Sequence, residues 1–103
     1  MRNLFHTLII ILSAFLFLAC ENAPVRREEM LFRHPEWNEQ MQQLIRSGYL
    51  VRGMSQKQVK AAWGRPCWSC AGTTKNQWGE TWEYATQVVF FDKNGNVIRW
   101  ETK

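Results

Sequence analysis

Arg52-Gly53-Met54-Ser55-Gln56-Lys57-Gln58-Val59, followed by Trp63-Gly64-Arg65-Pro66, is the stretch on which the fold turns. Ser55 and Gln58 have the spacing of a capping box. The Ser hydroxyl accepts from the third helical N–H, and the Gln side chain reaches back to the cap N–H. Met54 and Val59 stand where a hydrophobic staple would pair them. Val59, Ala62 and Trp63 fall on one buried face. Gly64 ends the helix, and Pro66 prevents its continuation.

Upstream, a first helix is expected from about Pro35 to Arg46. Pro35 suits the first helical position. Trp37, Met41, Leu44 and Ile45 form one apolar stripe. Glu36 and Glu39 near the start and Arg46 at the end match the helix dipole, and Ser47-Gly48 stops the run. His34, beside Pro35, reads as a helix-entry residue.

Downstream, the chain turns to strand patterns. Cys67 to Ala71 is a candidate short strand, and Gly72 to Gln77 reads as a polar loop. Gly79 to Ala85 alternates, with Trp82 and Tyr84 on one face and Thr81 and Glu83 on the other. Gln87 to Phe91 is dense in β-prone residues. Asp92-Lys93-Asn94-Gly95 is a hairpin turn signal. Asn96 to Thr102 returns, with Ile98 and Trp100 expected on one face and Val97, Arg99 and Glu101 on the other. The expected fold is α+β: two N-terminal helices packed on a three-stranded antiparallel sheet over residues 34–103.

The box from Gly53 to Val59, with Gly64-Arg65-Pro66 after it, resembles the BamE/SmpA family of small bacterial lipoproteins. Trp82-Glu83-Tyr84 and Phe91-Asp92-Lys93-Asn94-Gly95 match that family's aromatic strand and turn. The resemblance covers about His34 to Glu101. It implies two helices on a three-stranded sheet and, for the closest members, an accessory role in outer-membrane β-barrel assembly. The Cys67–Cys70 pair and His34-Pro35-Glu36-Trp37 depart from the family pattern. Related architectures also occur in proteins that inhibit β-lactamases.

Residues 1–19 have the layout of a secretory signal: Arg2, then an apolar run from Leu8 to Leu18 broken only by Ser13, then the small Ala19. The run is about 12 residues, where a spanning helix needs about 20. Phe17-Leu18-Ala19-Cys20 resembles a lipobox, with Phe17 where Leu is commonest. That resemblance makes Cys20 the lipidated first residue of the mature chain and the membrane its first partner. Glu21, in place of the Asp usual for inner-membrane retention, points to the outer membrane, with the domain facing the periplasm. Residues 20–33 read as the lipidated N-terminus and a tether; Glu21 to Glu29 is polar and carries Pro24.

The mature chain is one domain near the lower limit for a self-sufficient core. Six tryptophans, five of them after Leu50, must supply much of its burial. The net charge of +4 is scattered, and Arg26-Arg27 is followed at once by Glu28-Glu29, so nothing marks a nucleic-acid footprint. Cys67 and Cys70 leave three readings open: a local disulfide, unpaired thiols, or a redox pair. With His34 the only histidine after Cys20, no zinc ligand set is expected. Ala71 stands where haem attachment needs His, so no cofactor is expected. Glu80 and Glu83, three apart on a strand, face opposite ways, and no nucleophile has a base beside it. A non-catalytic interaction module is therefore expected, acting on another envelope protein. Trp68 and Trp78, bracketing the polar loop, are its candidate partner-binding residues. Trp37, Trp63, Trp82 and Trp100 are expected in the core. The alternative is a thiol redox or inhibitor-type protein that uses the Cys67/Cys70 loop.

Overall fold

The computed structural model describes residues 22–103. The signal segment and Cys20 lie outside the described residues. Three helices, α1 (Ala23–Arg33), α2 (Glu39–Ser47) and α3 (Gln56–Trp63), precede four strands: β1 (Trp68–Thr74), β2 (Gln77–Glu83), β3 (Gln87–Asp92) and β4 (Val97–Thr102). The strands form one antiparallel sheet in chain order. The class is α+β, but the expectation of two helices on three strands is overturned. The described residues hold a further helix and a further strand. Among the described residues, no helix is long and apolar enough to cross a membrane.

The further helix, α1, occupies the stretch expected to be a tether. Asn22 caps it, accepting from the Val25 N–H, and Pro24 suits its first turn. Its charges, which looked self-neutralising in sequence, serve the other two helices. Arg26 Nη2 and Arg27 Nε donate to the Ala62 carbonyl at 3.1 and 2.9 Å, and Arg27 Nη1 reaches the Arg46 carbonyl at 3.4 Å. Two helix C-termini, each with orphan carbonyls and a negative dipole end, are thus closed by one pair of arginines. Arg46 answers with an ion pair to Glu28 at 2.7 Å. Leu31 drops into the core.

Helix α2 starts later than Pro35. Asn38 is its N-cap, accepting from the Met41 N–H at 2.8 Å. A side-chain cap outcompetes the proline signal because it satisfies an orphan donor that proline merely lacks. The Pro35 segment is instead a turn in which the His34 ring stacks on Trp37, 4.3 Å apart.

Helix α3 begins and ends as its box dictates. Gln58 N–H donates to Ser55 Oγ at 3.2 Å, and Ser55 N–H donates to Gln58 Oε1 at 2.9 Å. Met54 and Val59 are fully buried. Replacing Ser55 with Ala is expected to cost about 1 kcal/mol, read from the urea midpoint at unchanged slope. An unmoved midpoint would mean that the capping box does not hold the helix start.

The helices cover one face of the sheet. Ile45, Met54, Val59, Ala61 and Ala62 meet Trp82, Val89, Phe91 and Val97 there. Trp82 lies on Phe91 with ring centres 4.6 Å apart, and Trp63 meets Tyr84 edge-on. Burial pushes the Tyr84 phenol above its usual range, so it stays protonated and donates to the Gly64 carbonyl at 2.8 Å.

The face assignment on β4 corrects the sequence expectation. Phe90 pairs with Arg99, but Phe91 pairs with Val97, so Ile98 is an extra residue that forms a bulge. The bulge puts Val97 and Trp100 on the helix side, in register with Phe91 and Val89. Simple alternation would have separated them. Trp100 is partly exposed there rather than in the core.

Candidate functional site

The further strand, β1, comes from the segment divided in sequence between a short strand and a polar loop. It pairs with β2 along its whole length, from Trp68 opposite Glu83 to Thr74 opposite Gln77. The connection is only Lys75-Asn76, both at positive φ (49° and 64°). Two successive left-handed residues make a tight hairpin of the type that matches strand twist. The signal was Thr73-Thr74 and Gln77-Trp78 flanking Lys75-Asn76. It is weaker than Asn-Gly because Lys is an uncommon residue at positive φ.

The hairpin does not lie flat. Gly72 pairs with Gly79, so the two strands lack side chains at the same point. Gly79 runs so close to β3 that a Cβ built on it would fall onto the Phe91 carbonyl. Beyond this point the tip curls over the sheet face away from the helices. Lys75 Nζ comes within 3.8 Å of Glu101 Oε1 on β4. In a flat sheet β1 and β4 stand about 14 Å apart, three strand spacings. Thr74 and Gln77 line one hollow with Ile98 and Arg99. Under the tip, the Arg99 guanidinium stacks 4.0 Å over the Phe90 ring, and its Nε pairs with Glu101 at 3.4 Å. The sheet thus has a convex side on the helices and a concave side under its own hairpin.

Trp68 and Trp78 do not form one patch. Trp68, 52 % exposed, pairs across from Glu83 at the start of β1 and lines the concave face with Cys70, Thr81 and Val88. Trp78, 63 % exposed, pairs across from Thr73 on the convex side and borders the Asp92–Gly95 turn. Four residues of strand and the sheet itself separate them. Both are among the large apolar side chains left in solvent.

Cys67 and Cys70 are both exposed free thiols. Cys70 lies opposite Thr81 on the concave face. Cys67, just ahead of β1, donates its backbone N–H to the Glu83 carbonyl at 2.8 Å. Of the three readings, unpaired thiols describe this arrangement.

Glu80 and Glu83 face opposite sides. Glu80 accepts from Gln56 Nε2 at 2.6 Å and from Trp82 Nε1 at 3.0 Å, tying the start of α3 to β2. His34 Nδ1 sits 2.8 Å from Glu36 at the end of α1. Among the described residues, no three His, Cys, Asp or Glu side chains converge as a metal site would require.

The exposed element that sequence reading underestimated is β1 as an edge. Trp68-Ser69-Cys70-Ala71-Gly72-Thr73-Thr74 contains no charge and no proline, and most of it is exposed. One side of it is hydrogen-bonded to β2, and among the described residues the other carries no strand. Comparison with protein families, curated proteins and solved structures found no match.

Proposed function

We propose that this chain is a lipid-anchored interaction module of the bacterial envelope that binds an extended segment of another envelope protein along β1. The observation that carries this reading is the unprotected edge. Sheet edges normally discourage pairing with lysines, prolines or inward charges, and seven consecutive residues here have none. An exposed edge offers backbone donors and acceptors to an added strand, and its side chains offer specificity. Trp68 and Cys70 on the concave face would contact alternate side chains of such a strand. The curl of the hairpin places Lys75 and Asn76 as a rim beside it.

The location rests on the Arg2-to-Cys20 pattern, which supports export, lipidation of Cys20 and an outer-membrane destination facing the periplasm. The resemblance of Gly53 to Val59 to the BamE/SmpA box supports an accessory role in outer-membrane protein assembly or envelope integrity. No catalytic step is assigned.

The test is a Ser69→Lys, Ala71→Lys double variant. Both side chains are exposed, so stability should change by less than about 0.5 kcal/mol, while a charged edge refuses an incoming strand. The folded variant is expected to fail to complement a deletion of the gene. Full complementation by a folded variant would overturn the edge reading.

A further inference from the structure

We propose that the domain does not swing on a tether but is held flush on the bilayer by α1, with one defined end, carrying Arg65, Trp68, Thr86 and Lys103, against the lipid surface. The inference rests on the Cys20 anchor and adds an orientation to it. A tether through residue 33 could carry the domain up to about 45 Å from its lipid. Helix α1 removes that freedom. Its first turn is bound to the ends of α2 and α3 through Arg26 and Arg27, and Asn22 is already its cap. From Cys20 to Ala23 the chain can span only about 10 Å even when extended.

The start of α1 therefore decides which end faces the membrane. Ala23 borders a hollow shared with Trp63, Tyr84, Thr86 and Gln87. Lys103 N–H donates to the Thr86 carbonyl at 2.9 Å, and Cys67 N–H to the Glu83 carbonyl at 2.8 Å, so these segments gather at the same end. The opposite end is marked by the Asp92–Gly95 turn and the start of α3, where Gln56 lies beside Gly95. Both α3 and β3 run between the two ends.

The chemistry of the anchor end suits a lipid surface. The segments 64–68, 84–87 and 102–103 contribute Arg65 and Lys103, and the acids that border them, Glu83 opposite Trp68 and Glu101 opposite Val88, lie on the concave face. Trp68 is half exposed beside them, and an indole is at home among headgroups. Basic residues near an anionic surface add attraction that falls off within a Debye length. In this pose β1 starts at the membrane and its free edge rises from it.

The test uses the full lipidated chain in phosphatidylcholine vesicles containing a headgroup-nitroxide lipid, with and without phosphatidylglycerol. One sample carries a fluorophore on native Cys67 in a Cys70→Ser background. The other carries it on Lys93→Cys with Cys67 and Cys70 both replaced by Ser. Quenching several-fold stronger at Cys67 than at the distal turn is expected. A flexible Gly/Ser insertion between Glu21 and Asn22 should reduce the Cys67 signal to the distal level. Equal quenching at both sites in protein that floats with the vesicles would overturn the orientation while leaving the anchor intact. Failure to float, matching a Cys20→Ser control, would overturn the anchor and the orientation together.

Discussion

Trp82→Ala is expected to remove most of the domain's stability. Trp82 is 3 % exposed, lies on Phe91 and donates its indole N–H to Glu80. Large aromatic-to-alanine changes in a core cost about 3–5 kcal/mol. The change also strips Glu80 of one of its two donors, next to Gln56. A domain this small has a total stability of the order of 5 kcal/mol, so the loss is comparable to the whole. Circular dichroism and a urea titration read the outcome. A midpoint within about 1 kcal/mol of the parent, by the usual slope, would mean that the β2–helix interface is not the core.

Gly79→Ala is the second large effect, and it is of another kind. One added methyl normally costs an exposed strand little. Here it must displace the Phe91 carbonyl, a backbone atom held in the β2–β3 ladder. Overpacking against groups that cannot rotate away costs about 1–3 kcal/mol or more. The strain should be relieved by uncurling the hairpin, separating Lys75 from Glu101. Hydrogen exchange is therefore expected to accelerate in β1 and in β2 up to Gly79, with α2 and α3 little changed. Uniform acceleration across the domain would place the defect in the core instead, and no change would mean that the close approach is absent in solution.

Much of this architecture was legible because its signals are local. The Ser55–Gln58 box, Gly64 before Pro66, and the Asp92–Gly95 turn each depend on three to five neighbouring residues, and each is present where the sequence puts it. Three features were not legible, each because a distant partner decides it. The arginines of α1 look like half of a neutral charge cluster until the carbonyls of Ala62 and Arg46, nineteen or more residues away, are seen to receive them. The Ile98 bulge changes the facing of Val97 without any glycine or proline to announce it. The β1 hairpin turns on Lys75-Asn76, an unusual pair for two positive φ angles, and its curl depends on two glycines that meet only across the strands.

The candidate site followed the same division. Trp68 and Trp78 were identifiable as surplus aromatics, and both are exposed. Their grouping was not, since strand parity sends them to opposite faces of the sheet. The edge that now carries the functional reading is a property of β1 having, among the described residues, no strand on one side, which depends on the order of the whole sheet.

The most direct measurement is site-specific photocrosslinking in living cells. A photoreactive phenylalanine at Ser69, on the free edge, is compared with one at Tyr49, which is also exposed but follows α2 on the helical side. A single discrete adduct from Ser69 and none from Tyr49 is the predicted result. Adducts from both positions alike, or none from Ser69 in a folded protein, would contradict the assignment of β1 as the binding edge.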